Sequence, residues 1–154
     1  MMTRNAFEFM RRYIHFNNNS KRKASGEPGY DSLFKVRYVL DVFMKGILIA
    51  WIADQFVTID ESMIKYMGRA VCYVQYMPAK PIKHEIKVFA ICCSSSAVML
   101  AFFIYVGKKD SGANTALGIC DKLVKDTGLT QQKGHVLYTD NYYTSMALAK
   151  HMFN

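Results

Sequence analysis

The stretch "QFVTIDESMIKYMGR", Gln55 to Arg69, runs an apolar segment straight into an acidic pair, Asp60-Glu61. The β-branched and aromatic residues of "QFVTID" predict a short buried strand that ends on Asp60. In a chain of net charge +8, an acid at that point has two readings. A strand end can simply reach solvent, or a rigid edge can hold a carboxylate for a metal ion. Most strand-end acids face solvent or cap a following helix, so the pattern alone leaves both open.

Further along, "HVLYTD", His135 to Asp140, is a second short apolar strand that also ends on an aspartate. Between the two lie Gly68, Pro78 and Pro81, which interrupt any long element from Glu61 to Glu85. Basic residues recur there at Lys65, Arg69, Lys80 and Lys83, followed by Lys87, with Tyr66, Tyr73 and Tyr76 among them. Cations meeting phosphates beside stacking rings suit a nucleic-acid surface. Tyrosines packing a sheet edge give the same pattern.

From Val88 to Val106, "VFAICCSSSAVMLAFFIYV" carries no charged residue and is long enough to span a bilayer. Ser94-Ser95-Ser96 divides the run into two strand-length pieces, and a serine cluster is turn material. A hairpin of strands near Ile86–Cys93 and Ala97–Val106 is therefore expected over a membrane helix. Asn114 or Thr115 can cap a helix that stops at Gly128, and Thr144 or Ser145 can cap a last one reaching Met152.

The N-terminal part is helical by its spacing. Thr3 caps a first helix to about Phe16, and Tyr30 to about Lys45 carries a second. "GILIAWIA" after it is ambiguous between helix and strand. Asn17 to Gly29 reads as a polar loop, and its Lys21-Arg22-Lys23 run is either solvated or a phosphate or nuclear-import patch.

At 154 residues, with 51% hydrophobic and 14% aromatic content, one packed domain is expected. Twenty basic residues against 12 acids favour a polyanionic partner. Cys72, Cys92, Cys93 and Cys120 form no C-x-x-C, and free thiols in a reducing compartment fit them best. A phosphate loop, a zinc-protease helix, a nucleophile elbow and a dinucleotide fingerprint are all missing from the sequence. His15, His84, His135 and His151 are scattered without ligand spacing.

"VTIDESMIKYMGR", "YMPAKPIKHEIKVF" and "LYTDNYYTSMALAKHM" together resemble the transposase domain of the piggyBac family, as do "MTRNAFEFMRRYIHFNN" and "YDSLFKVRYVLD" upstream. The resemblance implies a mixed α/β protein. Residues 1–48 would be an N-terminal helical region, and 49–154 an incomplete ribonuclease H-like core with a mixed β-sheet. It implies a DDE transposase that cuts and pastes DNA at TTAA targets with Mg²⁺, works in the nucleus, and dimerises at full length. Asp60 matches the first catalytic, metal-holding aspartate and Asp140 the second. The family's third acid and cysteine-rich tail find no match before Asn154, so a chain inactive in cleavage on its own is expected. A non-catalytic DNA-binding or interaction module derived from such an element is the alternative.

Lys65, Arg69, Lys80, Lys83 and Lys87 are the expected DNA contacts, and no membrane is expected. Glu85 stands where the family tends to have glycine; it either repels phosphate or points to solvent. With part of the core unmatched, apolar faces of Ala97–Val106 and Met146–Met152 are expected to favour self-association.

Overall fold

A computed structural model describes residues 2–68, 71–79, 81–107, 115–129 and 134–153. Its contacts divide the chain into two compact units, Met1–Phe43 and Met44–Asn154.

In the first unit, Thr3 Oγ1 accepts the Ala6 N–H and opens helix α1, Arg4–Tyr13. The helix stops at Tyr13, short of Phe16, where Ile14 turns extended. The expected loop follows, with one 3₁₀ turn at Asn19–Lys21 capped by the Asn18 side chain. Asp31 Oδ1 accepts the Leu33 N–H, and Arg37 grips the same carboxylate through Nε at 2.8 Å and Nη2 at 2.9 Å. That two-pronged bond, with help from the Leu33 amide, holds the Asp31 carboxyl below its usual range against the effect of partial burial.

Helix α2, Phe34–Ala50, starts later than expected and runs through Gly46. "GILIAWIA" is thus helical to Ala50, and extended chain from Trp51 leads into the sheet.

The second unit is built on a five-stranded mixed sheet. Its strands are β1 (Phe56–Lys65), β2 (Val74–Tyr76), β3 (His84–Cys93), β4 (Met99–Ile104) and β5 (Val136–Thr139). β3 pairs antiparallel with β1 along one edge and with β2 and β4 along the other. β5 pairs parallel with the far edge of β1. The Val88–Val106 run is therefore the expected hairpin, with its turn at Ser94–Ser96 and positive φ at Ala97. Among the described residues no helix is long and apolar enough to cross a membrane.

The expectation that the first strand ends on Asp60 is overturned. β1 continues five residues further, to Lys65, because β3 is a ten-residue partner that pairs with it from Val57 through Lys65. β5 is short and accompanies β1 only from Phe56 to Ile59. Asp60 thus marks the point where β1 loses its parallel neighbour.

Alternation along the strands sends Val57, Ile59, Phe89, Ile91 and Cys93 to one face, where α3 (Ala116–Thr127) contributes Ile119, Cys120 and Leu123. Thr115 caps α3 by accepting the Gly118 N–H, and Gly128 ends it in the left-handed region at φ 66°. Ser145 Oγ accepts the Leu148 N–H and opens α4, Met146–Phe153, which adds Leu148 to the core. Each fully buried aliphatic side chain here contributes roughly 1.5–3 kcal/mol.

Candidate metal-binding edge

Parallel pairing sets Phe56 beside Val136, Thr58 beside Tyr138 and Ile59 beside Thr139. One step on come Asp60, still within β1, and Asp140, the first residue past β5. Alternation along β1 puts Asp60 on the face opposite the Ile59 core with Phe56, whose ring lies 6.1 Å from that of Tyr138 on β5, while Asp140 opens the turn that follows. On β3, Asp60 pairs with Ala90, which is buried.

Both carboxylates are exposed and oriented by backbone amides. Asp60 Oδ1 accepts the Glu61 N–H at 2.7 Å. Asp140 Oδ1 accepts the N–H groups of Tyr142 at 3.0 Å and Tyr143 at 3.3 Å, forming an Asx turn that closes β5. Thr144 Oγ1 donates to the Asp140 carbonyl and tightens the same turn. In each aspartate these bonds fall on Oδ1.

Sequence reading missed two residues here. Tyr143 is fully buried, and its hydroxyl donates to Glu61 Oε2 at 2.9 Å. Burial comes first, then the Glu61 bond and the charges of Glu61, Asp140 and Asp60, in pushing that hydroxyl far above the ordinary tyrosine range. One hydroxyl feeling all three carboxylates fits the register, which brings them to one end of the β1–β5 pair. Glu61 continues the alternation of Val57 and Ile59 along β1 but is itself exposed, so no buried acid marked it in the sequence.

The basic residues separate into two groups. Lys65 and Lys83 are exposed at the end of the β1–β3 pair away from the aspartates. Lys87 is drawn inward: its Nζ is 3.3 Å from Glu61 Oε1 and 4.8 Å from the centre of the Phe89 ring. Arg69 and Lys80 lie outside the described residues. Glu85 is only 6% exposed, so the reading that it points to solvent is overturned; its register partner across β1 is Lys65. The strand places it on the core-side face with Phe89 and Ile91.

Two outward carboxylates are a hard-oxygen donor set that fits Mg²⁺ or Mn²⁺, since such ions take one or two carboxylates and keep several waters. Among the described residues no cluster of three or more His, Cys, Asp or Glu side chains surrounds an ion site.

The parallel pair β1 and β5 of the mixed sheet thus runs into an aspartate at the end of each pairing segment. The Transposase IS4 family matches residues 1–154, and the chain belongs to that family. It is similar to the piggyBac transposase in a cryo-EM structure of its synaptic complex with hairpin DNA, at 27% identity and a TM-score of 0.81. The similarity covers 97% of this chain and 30% of that one, so the chain spans about 30% of the length of that transposase. The mixed α/β fold and the transposase-domain reading made from sequence are both borne out.

Proposed function

We propose that this chain is the part of a cut-and-paste DNA transposase that supplies the first two metal-holding acids, Asp60 and Asp140. The observation that supports the reading is the parallel β1–β5 register, whose last pair, Ile59 and Thr139, directly precedes both aspartates. Asp60 and Asp140 would hold Mg²⁺ through the oxygens not engaged by backbone amides. When bound, the ion supplies activation of an attacking water or hydroxyl and stabilisation of charge on the scissile phosphate. The chain's own residues hold the two carboxylates in fixed orientation and keep one side of the site open to a large substrate.

DNA is the proposed substrate, with transposon ends and TTAA-type targets following from the family. The net charge of +8 and exposed Lys65 and Lys83 support it. A homodimer at full length and a nuclear location complete the proposal, the latter supported by the exposed Lys21-Arg22-Lys23 run. Residues 1–154 hold two of the three acids expected of the family, and by themselves are proposed to be inactive in cleavage.

The test is calorimetric titration of Mn²⁺ into the chain and into Asp60→Asn, Asp140→Asn and Asp121→Asn variants. Binding lost in the first two and kept in the third supports the reading; binding unchanged in Asp60→Asn and Asp140→Asn refutes it. A Mg²⁺-dependent nicking assay on transposon-end DNA tests the inactivity, which robust cleavage abolished by Asp60→Ala would overturn.

A further inference from the structure

We infer that Tyr143 and Glu61 form a positioning bridge that fixes the spacing and orientation of Asp60 and Asp140; the inference rests on the metal reading above. A continuous hydrogen-bonded path joins the two aspartates. The Tyr143 N–H donates to Asp140 Oδ1 at 3.3 Å, and the Tyr143 hydroxyl donates to Glu61 Oε2 at 2.9 Å. The Glu61 N–H in turn donates to Asp60 Oδ1 at 2.7 Å. No other described side chain reaches from the turn after β5 to β1 by a hydrogen bond at this level.

Alternation places Glu61 on the face opposite Asp60, so it acts from behind the site and is not itself a ligand beside Asp60. Lys87 Nζ, 3.3 Å from Glu61 Oε1, holds the carboxylate from its other oxygen. The Tyr143 ring is clamped edge-on by Phe89 at 6.5 Å and by Tyr142 at 4.9 Å. A ring so enclosed could be phenylalanine for packing alone. A buried hydroxyl needs a partner, and the one it has is the residue next to Asp60.

β1 and β5 stop pairing at Ile59 and Thr139, one residue before the aspartates. The sheet's own hydrogen bonds therefore do not fix the distance between Asp60 and Asp140. The bridge spans the place where the ladder ends. Partners that orient ligands in this way are worth about 10–100-fold in metal affinity in known sites.

The experiment titrates Mn²⁺ alone into the full 154-residue chain and follows paramagnetic broadening of the Asp60 and Asp140 amide signals by NMR. Thermal midpoints are recorded on the same samples. Tyr143→Phe is expected to weaken Mn²⁺ binding about tenfold. Glu61→Gln keeps an acceptor oxygen for the hydroxyl while losing the charge, and should retain more affinity than Glu61→Ala. Ile119→Val, a core truncation outside the bridge, should lower the midpoint and leave Mn²⁺ affinity unchanged. Equal affinity in Tyr143→Phe and wild type overturns the bridge and leaves the metal reading standing. An affinity loss in Ile119→Val as large as in Tyr143→Phe assigns the effect to general loosening and also overturns it. Failure of Mn²⁺ to bind the wild-type chain removes the metal reading, and the bridge with it.

Discussion

Ile59 on β1 lies beside Thr139 on β5 in parallel register, the last pair before the two strands part. Ile59 has no exposed surface, so the pair is anchored in the core immediately behind the aspartates. Ile59→Ala should destabilise the second unit by about 2–5 kcal/mol and Ile59→Val by about 1 kcal/mol. Urea unfolding checks both. A loss under 1 kcal/mol for the alanine variant would mean that the β1–β5 pairing is held some other way.

Both ends of α3 should be measurable. Thr115→Ala removes the acceptor of the Gly118 N–H and should cost about 1 kcal/mol. Gly128→Ala meets no neighbouring atom within 4 Å, so its cost of about 1 kcal/mol would come from the positive φ alone. Gly128→Asn, which tolerates that backbone, should cost less. For a chain of 154 residues, thermal midpoints should fall by about 2–4 °C for each kcal/mol.

The thiols should separate by reactivity. Cys72 is exposed, whereas Cys93 and Cys120 are buried. Burial, with a contribution from Asp140, pushes the Cys120 thiol up to about 11, and burial, Cys93 and Asp60 raise Cys92 as well. Mass spectrometry after brief maleimide treatment at pH 7 should find Cys72 labelled first, and all four labelled in urea.

The same shift sets an alkaline limit on stability. A thiol whose folded pKa lies above the unfolded value of about 8.5 keeps its full contribution below that value. As pH rises from there to about 11, only the unfolded chain loses the proton, so folding stability falls. Urea midpoints at pH 7, 9 and 10.5 should show the decline, with a shallower slope in Cys120→Ala.

If DNA is the partner, Lys65 and Lys83 should act as phosphate contacts. Lys65→Ala and Lys83→Ala should weaken duplex binding uniformly across sequences and each reduce the salt slope by about 1. Lys87→Ala should behave differently and lower thermal stability, because Glu61 loses its cation. Equal salt slopes for wild type and the Lys65 and Lys83 variants would remove these two residues from the interface.

Much of the architecture was legible in local pattern. Thr3, Thr115 and Ser145 cap helices because a side-chain oxygen beside unpaired amides is a local event. Gly128 ends α3 for an equally local reason, its left-handed backbone. Ser94–Ser96 turned the apolar run into a hairpin, since a serine cluster marks a turn wherever it falls.

Where an element ends beside a distant partner was not legible. β1 was expected to stop at Asp60 because hydropathy falls there. It continues to Lys65 because β3, far along the chain, offers paired hydrogen bonds for that length. Glu85 was read as either repelling phosphate or pointing to solvent, and the strand buries it instead.

The sequence by itself determined which residues are available for chemistry: two aspartates after apolar runs, in segments whose resemblance pointed to a transposase. Local composition and order suffice for that, because strand propensity and motif identity are properties of a few neighbouring residues. Only the tertiary structure decided that the two runs are parallel neighbours whose last pair directly precedes Asp60 and Asp140. It alone revealed Tyr143 and Glu61 behind them. Strand register and buried hydrogen bonds are set by contacts between segments far apart in the chain, and no local pattern contains them.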